Sequence, residues 1–373
     1  MKILITGAGG FIGKNLVAHL QALNIEGGDI KVLEYHHDMG VDKLYSMISE
    51  CDFICHLAGV NRPKNDEEFR QGNVGFTREL LYQIKRADKI LPIIVISSIQ
   101  ATLDNPYGRS KYEAECMFCA YGKETGAHVY IYRLPGVFGK WCKPNYNSVV
   151  ATFSHHIARD MPICIDDVTR EIDLVYIDDV VNEICHTLQG NPTRESDFCV
   201  VPIMYRRSLG DIAELLYSFH RTRNELSVPN QMDDFTRKLY ATYLSYLPDD
   251  AFCYDLAMHV DERGSFTEFI RTCNQGQFSV NISHPSVVKG NHWHRSKHEK
   301  FLVVSGTGII RFRKVNENKT ICYHVSGEKL QVVEIPPGYT HNIENTGNVD
   351  MVTLMWVNEC YDSEKPDTVP MKI

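Results

Sequence analysis

Long apolar runs and clusters of positive charge are both missing from this sequence. No stretch approaches the roughly 20 consecutive apolar residues that a helix needs to cross a bilayer, so we expect no membrane span. The formal net charge is −8 and no Lys/Arg run stands out, which gives no reason to expect a nucleic-acid partner. Residues 1–7 form an apolar strand and a tight turn without a cleavage site, so we expect no signal peptide and a cytoplasmic location.

Closely paired cysteines are also scarce, although the chain has twelve cysteines in all. They are scattered through apparent strands and helices. Cys116 and Cys119 form a C-x-x-C inside a predicted helix, without a second pair nearby. We therefore expect buried free thiols rather than a redox or zinc site.

The length and composition fit two folded domains. The 373 residues exceed one ordinary core, and 43% hydrophobic with 23% charged residues is typical of globular proteins. The passage from Ser245 to Asp250 is rich in turn residues, and the pattern of the chain changes beyond it. We predict one domain over residues 1–246 and a second over residues 247–373.

A glycine-rich turn follows the first predicted strand. Residues 2–6 are apolar, and Gly7-Ala-Gly-Gly10-Phe-Ile-Gly13 leads into residues 14–23, whose apolar side chains have helical spacing. Strand, glycine turn and helix is the context of a dinucleotide site, because glycines let the backbone approach a pyrophosphate at a helix N-terminus. A purely structural turn is the alternative.

Further apolar strands alternate with helix-like stretches. They are predicted at residues 30–34, 52–57, 91–97 and 128–133. This alternation favours an α/β fold with a doubly wound parallel sheet. The third strand ends in small residues at Ala58 and Gly59, which suits a cofactor that passes over the sheet.

A serine pair, a tyrosine and a lysine follow the fourth strand. The strand ends at Ser97-Ser98, and Tyr107 and Lys111 are four residues apart, on one face of a predicted helix. The lysine charge is expected to lower the pKa of the tyrosine, which could then give a proton to a carbonyl that accepts hydride. A surface Tyr/Lys pair is the alternative, but the glycine turn and the Ser-Ser strand end favour catalysis.

Together these segments resemble the extended short-chain dehydrogenase/reductases that act on nucleotide sugars. The matching segments, which cover most of residues 1–240, are Thr6 to Gly13, His56 to Gly59, Gly72-Asn73-Val74, Ser97-Ser98, Tyr107 to Lys111 and Tyr176 to Val180. The resemblance implies a Rossmann-type sheet and a catalytic set of Ser98, Tyr107 and Lys111. It leaves Ser97 as the alternative serine and Asn73 as a helix cap or a relay residue.

The same resemblance implies a nicotinamide cofactor and the residues that hold it. These are Gly7, Gly10, Phe11, Ile12, Gly13, Glu34, His36, His37, Leu57, Ala58, Tyr107 and Lys111. Glu34 could bind the ribose hydroxyls of NADH, whereas His36 and His37 could meet the 2′-phosphate of NADPH. We predict NADPH, with NADH as the alternative.

A Gly/Pro/Asn-rich loop at residues 134–150 carries aromatic and cationic side chains. Trp141 and Tyr146 could stack on a nucleotide base, and Lys140 or Lys143 could meet its phosphates; a structural loop is the alternative. The arginine that this family usually places nearer the following strand is displaced here. The candidates for its role in holding a nucleotide diphosphate are Arg133, Arg170 and Lys143.

Beyond residue 250, short strands of alternating polarity replace the α/β pattern. They are predicted at residues 278–282, 300–304, 307–313, 329–335 and 350–357. Gly, Asn and Pro turns separate them, which favours an all-β sandwich or small barrel.

Three histidines and a glutamate in this region are candidate metal ligands. His292 and His294 are two apart on one strand and share a side, Glu299 begins a neighbouring strand, and His341 follows a Pro-Gly turn. Three imidazoles and a carboxylate are good ligands for Zn, Mn, Fe or Ni, and we predict zinc. His298 is an alternative ligand or base, and an incidental histidine cluster is the structural alternative.

The pattern around these ligands, with Gly306 and Asn345, resembles the cupin superfamily and implies a cupin barrel. Asp261 to Glu268 and Lys289 to His292 are also similar to nucleotide-sugar 4-keto-6-deoxyhexose epimerases. Those enzymes use no metal, so the ligand set departs from their pattern and leaves the catalytic base unassigned. The candidates for proton transfer are His298, Lys289, Glu268 and Tyr339.

Over nearly its full length the chain resembles the bifunctional nucleotide-sugar enzymes of capsule and O-antigen synthesis. The segments that carry this resemblance are Asn61-Arg-Pro63, Gly139 to Asn147, Tyr243 to Pro248 and Gly290 to His294. It implies that the cupin epimerises carbon 3 of a UDP-2-acetamido-2,6-dideoxy-hexos-4-ulose, and that the first domain reduces carbon 4 with NADPH. The implied product is UDP-2-acetamido-2,6-dideoxy-L-talose, a precursor of UDP-N-acetyl-L-fucosamine.

Cupins commonly pair through exposed strands, so we also expect a homodimer that forms through the cupin domain. Two other classes of protein stay open at this point. One is an NAD(P)-binding regulatory protein with a metal-sensing barrel. The other is a reductase whose cupin is only a dimerisation module with a stabilising metal.

Overall fold

The structure is a computed structural model and describes residues 1–25, 29–63, 65–272, 276–360, 364 and 366–373. The chain divides into two compact units, namely Met1–Tyr217 with Asp233–Pro248 and Ser218–Met232 with Asp249–Ile373. A short segment before residue 233 therefore belongs to the second unit. None of the described helices is both long enough and apolar enough to pass through a membrane.

A largely parallel sheet forms the centre of the first unit. The strands of this unit are β1 (Lys2–Thr6), β2 (Lys31–Tyr35), β3 (Phe53–His56), β4 (Ile93–Ser98), β5 (Val129–Leu134), β6 (Gly136–Phe138), β7 (Glu171–Tyr176), β8 (Arg194–Glu195), β9 (Phe198–Cys199) and β10 (Tyr205–Ser208). Seven of them have the order β2-β1-β3-β4-β5-β9-β8, and β10-β7-β6 forms a smaller sheet. The strand order of the large sheet reverses between β1 and β3, where such sheets leave a crevice for a ligand.

Helices cover both faces of the large sheet. The α-helices of the described residues are α1 (Phe11–Ile25), α2 (Val41–Glu50), α3 (Asp66–Phe69), α4 (Phe76–Arg86), α5 (Pro106–Thr125), α6 (Val149–Ile157), α7 (Ile177–Leu188), α8 (Leu209–Arg221) and α9 (Asp234–Leu244), with a π-helical turn at Arg70–Gly75 and short 3-10 helices at Ile99–Thr102 and Asp249–Ala251. Leu16 of α1 and Ile184 of α7 belong to one buried core, and Leu44 of α2 and Phe118 of α5 belong to another. Alternate residues of β1 enter the two cores, so the predicted doubly wound parallel sheet is confirmed.

Antiparallel strands build the second unit. They are β11 (Ser227–Val228), β12 (Met258–Asp261), β13 (Gly264–Thr272), β14 (Gly276–Ser283), β15 (Val288–Trp293), β16 (Glu299–Ser305), β17 (Thr307–Lys314), β18 (Thr320–Ser326), β19 (Val332–Ile335), β20 (Tyr339–Asn345), β21 (Met351–Val357) and β22 (Val369–Pro370). One sheet has the order β11-β13-β14-β21-β16-β19, with β12 on β13, and the other has the order β18-β17-β20-β15-β22. Phe301 of β16 and Phe312 of β17 share one buried core between the sheets. The predicted all-β barrel is thus confirmed.

One irregularity on β15 decides which side chains face the barrel interior. The pairing of β15 with β20 skips Asn291, which is therefore an extra, bulged residue. Gly290 and Asn291 have φ values of +100° and +60°. Because the bulge interrupts the alternation of the strand, Lys289 and His292 lie on the same side although they are three residues apart.

The polarity of β14 is the reverse of that of an ordinary half-buried strand. Its buried positions are polar, namely Gln277, Ser279, Asn281 and Ser283. Its alternate positions are apolar: Phe278 pairs with Trp356 of β21, and Val280 pairs with Leu354. Phe278 and Leu354 are each 42% exposed, so this sheet turns an apolar face away from its own interior.

The eleven cysteines within the described residues are all free thiols. Cys116 and Cys119 are exposed, so the prediction that they are buried is wrong. The physical reason is their position on α5: Phe118 packs into the core, and the two thiols lie on another face of the helix.

Candidate active sites

A cleft of about 870 Å³ lies at the carboxyl ends of β1, β3 and β4. Its wall contains most of the residues that were predicted to hold the cofactor, namely Gly7, Gly10, Phe11, Ile12, Gly13, Leu57, Tyr107 and Lys111. Phe11 begins α1, so the free backbone N–H groups and the positive end of this helix face the cleft. Such a helix terminus is suited to bind the pyrophosphate of a dinucleotide.

Close backbone contacts explain two of the glycines in the turn. Gly7 has a φ of +75°, and a Cβ at this position would lie 2.7 Å from the backbone nitrogen of Ala58. A Cβ on Gly13 would lie 2.2 Å from the carbonyl oxygen of Gly7. The ends of β1 and β3 and the start of α1 therefore meet where no side chain fits.

Four predicted cofactor residues lie beside the cleft. Its wall, as far as the described residues form it, does not include Glu34, His36, His37 or Ala58. His36 is close to the glycine turn, since a Cβ on Gly9 would lie 3.2 Å from its Nδ1, and its Nε2 is 3.7 Å from Oε2 of Glu34. His37 is exposed. A cofactor role for these side chains stays a prediction.

Ser98, Tyr107 and Lys111 all line the cleft, with Tyr107 in the first turn of α5 and Lys111 one turn later. Lys111 is buried, and its ammonium donates a hydrogen bond to the carbonyl oxygen of Ile96 at 2.8 Å. Burial lowers the pKa of Lys111 to about 8, and the charge of Glu115 opposes this shift. The three predicted catalytic side chains are therefore brought to one place.

The pKa of Tyr107 differs from the sequence prediction. Burial raises it above its ordinary value, and a hydrogen bond with Ser98 opposes the rise. The predicted net lowering of this pKa is wrong for this structure, because burial has the largest effect on the phenol and disfavours its charged form. Tyr107 therefore keeps its proton at neutral pH, as a proton donor must.

Glu115 is a buried residue that the sequence analysis missed. Its carboxylate accepts hydrogen bonds from the hydroxyl of Ser97 and from the guanidinium of Arg133, with Nη2 at 2.6 Å from Oε2. Ser97 and Arg133 are thus engaged with this carboxylate, which favours Ser98 as the serine that acts with Tyr107. The signal was available, because Glu115 follows Lys111 by four residues and shares its face of the helix.

Asn73 lies in the π-helical turn and does not cap a helix, so the cap role is wrong. Its buried amide donates hydrogen bonds to the carbonyl oxygen of Val60 at 3.1 Å and to the hydroxyl of Ser110 at 2.9 Å. Its oxygen accepts the N–H of Val60 at 2.9 Å. Asn73 therefore connects the loop after β3 to α5 next to Lys111, and π-helical turns are frequent at functional sites.

The loop after β6 brings exposed aromatic and cationic groups into the cleft. Trp141, Lys143 and Tyr146 line it, and the ammonium of Lys143 is 5.5 Å from the centre of the Tyr146 ring. Lys140 instead pairs with a carboxylate at the start of α7, and Arg170 is exposed. Of the cations predicted to meet phosphates, Lys143 is the one that the cleft wall contains, within the described part of the chain.

In the second unit, the four predicted metal ligands come together. One ligand atom from each of His292, His294, Glu299 and His341 can be chosen so that all lie within 4.8 Å of one another. Oε2 of Glu299 is 3.5 Å from Nε2 of His294 and 3.1 Å from Nε2 of His341. These three buried atoms have no partner in hydrogen-bond geometry among the described residues, so the set fits a divalent cation.

The other nitrogen of two of the imidazoles is hydrogen-bonded to a backbone carbonyl oxygen. Nδ1 of His294 donates to Asp367, and Nδ1 of His341 donates to Tyr339 at 3.4 Å. Carbonyl groups accept hydrogen bonds, so in these two rings the hydrogen is on Nδ1 and the lone pair of Nε2 is directed into the cluster. This is the arrangement of histidines that bind a metal.

The pKa values of His292 and Glu299 also suit a metal site. Burial lowers the pKa of His292 to about 4, which keeps it neutral at pH 7. Burial alone would raise the pKa of Glu299, but His294 and His341 lower it to about 2, so it is a carboxylate. Burial alone would lower the pKa of His294, but Glu299 and the Asp367 carbonyl raise it.

A pocket of about 630 Å³ opens beside this cluster and is lined by His292, Glu299 and His341. Lys289 lines it as well, because the bulge turns this side chain to the same side as His292. Its ammonium donates hydrogen bonds to Oδ1 of Asn281 at 2.9 Å and to the carbonyl oxygen of Ile282 at 2.8 Å.

The other proton-transfer candidates lie outside the pocket wall that the described residues form. His298 packs against the ring of Trp356 at 5.5 Å. Glu268 pairs with Arg271. Tyr339 begins β20 and packs against the buried core between the two sheets. Lys289 is therefore the one of the four candidates that faces both the ligands and the open space.

Known proteins share both parts of this arrangement. Residues 3–198 match the NAD dependent epimerase/dehydratase family, and residues 259–369 match the polysaccharide biosynthesis C-terminal domain. UDP-2-acetamido-2,6-beta-L-arabino-hexul-4-ose reductase of Pseudomonas aeruginosa is 46% identical over 368 residues, which cover 99% of this chain and 98% of that protein.

Solved structures are also similar to this chain over its full length. The crystal structure of the capsular polysaccharide assembling protein CapF from Staphylococcus aureus has 52% sequence identity and a TM-score of 0.94, with 100% of both chains covered. A crystal structure of CapF with the inhibitor 3-isopropenyl-tropolone has 47% identity and a TM-score of 0.89, again with 100% of both chains covered. With its glycine turn, its Ser98-Tyr107-Lys111 cleft and these relatives, the chain belongs to the NAD dependent epimerase/dehydratase family.

Proposed function

We propose that this chain is a bifunctional nucleotide-sugar enzyme. The second unit epimerises carbon 3 of a UDP-2-acetamido-2,6-dideoxy-hexos-4-ulose, and the first unit reduces carbon 4 with NADPH to UDP-2-acetamido-2,6-dideoxy-L-talose. The observation that carries the proposal is the presence of the Tyr107 cleft and the His292 cluster on one polypeptide. Two of the relatives, a hexul-4-ose reductase and a capsular polysaccharide assembling protein, support the substrate class and a role in capsule synthesis.

In the first unit, a bound reduced nicotinamide would supply the hydride that carbon 4 receives. The phenol of Tyr107 donates the proton that the former carbonyl oxygen needs, and the hydroxyl of Ser98 donates a hydrogen bond to the same oxygen. The buried ammonium of Lys111, one helical turn away, favours the negative charge that Tyr107 acquires as it gives up its proton. Hydride, proton and ketone together give the alcohol.

The loop after β6 is proposed to hold the nucleotide part of the substrate. The exposed rings of Trp141 and Tyr146 stack on the uracil base, and Lys143 pairs with the diphosphate. We therefore expect Trp141→Ala to raise KM more than it lowers kcat, because stacking on a remote base acts on the ground state and the transition state alike.

The preference for NADPH over NADH is a separate part of the proposal. His36 supports it, since this imidazole is close to Gly9 of the turn that a dinucleotide would pass. Glu34 beside it would repel a 2′-phosphate, and His36 is the group that can offset this charge. The cofactor preference is measured as kcat/KM with NADPH divided by kcat/KM with NADH. We expect this ratio to be lower in His36→Ala than in the unmodified protein.

In the second unit, a divalent cation held by His292, His294, Glu299 and His341 would act as a Lewis acid toward the ketone oxygen and so acidify the neighbouring C–H bond. Lys289 is proposed to remove that proton, and a proton from the solvent is proposed to return to the opposite face of carbon 3, which completes the epimerisation. Burial lowers the pKa of Lys289, which increases the fraction of neutral amine that can act as a base. Its nitrogen has three protein acceptors, namely Oδ1 of Asn281 and the carbonyl oxygens of Ile282 and, at 3.4 Å, Ser265, and these fix its position.

A homodimer is the expected assembly. The support for it is the apolar outward face that β14 and β21 share, together with the reversed polarity of β14, whose buried positions are polar. A second copy of this face would bury Phe278 and Leu354. Phe278→Asp with Leu354→Asp is expected to give a monomer in analytical ultracentrifugation, and an unchanged mass would contradict the assignment of this face.

The test of the whole proposal uses the UDP-4-keto-6-deoxy-N-acetylhexosamine with NADPH in deuterated water. We expect NADPH to be oxidised, which its absorbance measures. We also expect deuterium to enter carbon 3, which mass spectrometry of the product measures. If no such ketone oxidises NADPH, the reductase assignment fails. Oxidation without deuterium in the sugar removes the epimerase and leaves a reductase with a structural metal module.

A further inference from the structure

Residues 366–373 carry none of the four ligands, yet they contact three of the segments that do. We propose that Asp367, with the strand after it, positions the metal ligands and so sets the affinity of the site for its cation. This inference rests on the metal site of the proposed function. It concerns how tightly the site holds a cation and needs no assumption about which reaction follows.

The carboxylate of Asp367 holds the loop that joins the second ligand histidine to the ligand glutamate. One oxygen accepts the backbone N–H of Arg295 at 3.0 Å. The other accepts the N–H groups of Ser296 and Lys297 at 2.8 and 3.0 Å and the hydroxyl of Ser296 at 3.1 Å. Because this loop is short, its conformation fixes the distance between the two ligands at its ends. A carboxylate that accepts four hydrogen bonds from it is therefore a strong constraint.

The backbone of Asp367 orients one ligand directly. Its carbonyl oxygen accepts a hydrogen bond from Nδ1 of His294, so Nδ1 carries the ring hydrogen and Nε2 has the lone pair. Nε2 is the atom that faces Oε2 of Glu299, at 3.5 Å. The side chain and the main chain of one residue thus set both the position of the loop and the tautomer of the ligand.

The strand after Asp367 braces the other ligand strands. Val369–Pro370 pairs with β15 at His292. The N–H of Met371 donates a hydrogen bond to the carbonyl oxygen of the bulged Asn291 at 2.9 Å, and the carbonyl oxygen of Met371 accepts one from the hydroxyl of Thr340 on β20. Residues 366–373 therefore connect the loop, β15 and β20, which carry His294, His292 and His341, and the loop leads directly to Glu299 at the start of β16.

Cation affinity of the metal-free, folded protein tests the proposal, with Zn²⁺ as the probe in competition with a chromophoric chelator. Asp367→Asn keeps the shape of the side chain but sets an amide N–H against the N–H groups of the loop. We expect it to weaken Zn²⁺ binding by about 10- to 100-fold, the usual effect of losing a group that orients a ligand. The matched control is Asp350→Asn. Asp350 is an exposed carboxylate whose Oδ1 is 2.8 Å from Nδ1 of His284, and neither residue belongs to the metal cluster. Its Zn²⁺ affinity is expected to equal that of the unmodified protein.

Circular dichroism and thermal unfolding of the metal-free forms separate positioning from folding. Unchanged unfolding with weakened Zn²⁺ binding supports the proposal, and equal Zn²⁺ affinity of Asp367→Asn and the unmodified protein overturns it. If Asp367→Asn does not fold, Ser296→Ala decides the matter, since it removes one hydrogen bond to Asp367 and is expected to weaken Zn²⁺ binding by about 2- to 10-fold. No effect of Ser296→Ala would then overturn the proposal. An unmodified protein that binds no Zn²⁺ removes the metal site itself, a result distinct from equal affinities.

Discussion

The two candidate sites of this chain are assembled in different ways. The cleft of the first unit is built from two short motifs. The glycine turn, residues 7–13, leads into α1, and the catalytic pair Tyr107 and Lys111 lies on α5. The metal cluster takes its ligands from β15, the loop after it, the start of β16 and β20, and residues 366–373 contact three of these segments. The first site depends on local geometry and the second on strand register, so changes remote in sequence should disturb the second site more.

The sharpest way to separate the two sites is to disable one of them. Tyr107→Phe removes the proton donor and is expected to lower the rate of reduction by about 10²- to 10⁴-fold. Deuterium exchange at the carbon beside the ketone should continue, because the cluster that supports it lies in the other unit. Tyr112→Phe is the control, since Tyr112 is exposed on the same helix. Loss of both activities in Tyr107→Phe would contradict independent sites.

The reverse experiment removes a ligand. His292→Ala is expected to release the cation and to lower deuterium exchange by about 100-fold or more, because Lewis-acid stabilisation is worth several kcal/mol. The dissociation constant for NADPH should stay the same. His284→Ala, at an exposed imidazole paired with Asp350, is the control. If His292→Ala and chelation both unfold the barrel while exchange per folded molecule is unchanged, the metal is structural.

The glycine turn gives a smaller effect, confined to the first site. Gly13→Ala would put a Cβ 2.2 Å from the carbonyl oxygen of Gly7, so the turn must shift. We expect a loss of about 1–3 kcal/mol in the free energy of unfolding, together with weaker NADPH binding. Gly40→Ala is the control because a Cβ there meets nothing within 4 Å. Isothermal titration and chemical denaturation measure both quantities, and normal NADPH binding by Gly13→Ala would contradict the turn as the cofactor site.

The smallest expected effect is a change in pH dependence. Burial lowers the pKa of Lys111 to about 8, and the charge of Glu115 holds it from falling further. Glu115→Gln removes that charge, so the pKa of Lys111 falls and its ammonium is lost at lower pH. The basic limb of the kcat profile for reduction should therefore move to lower pH, whereas Glu113→Gln, on the exposed side of the helix, should leave it in place. A basic limb that does not move would show that Lys111 does not control it.

The sequence predicted the local features and missed the tertiary ones. The glycine turn, the parallel sheet and the all-β character of the second domain follow from spacing and periodicity, which depend only on neighbouring residues, whereas the barrel was implied by the resemblance to cupins. The direction of the Lys111 ammonium, the engagement of Ser97 and Arg133 with Glu115, and the position of Lys289 all depend on contacts between distant segments. Strand alternation alone would put Lys289 opposite His292, and the bulge that changes this could not be predicted from the pattern of polar and apolar residues.

Because of the bulge at Asn291, a shift of the first part of β15 by one residue along β20 would change which side chain faces the pocket. Gly290 and Asn291 both have positive φ, which β-branched residues avoid. Valines at these two positions would favour a regular strand, and its earlier residues would then slide by one place along β20. Val288 would turn into the pocket and the Lys289 amine would turn out into water, while the imidazoles stay where they are. Such a protein would hold its cation and have no amine beside it.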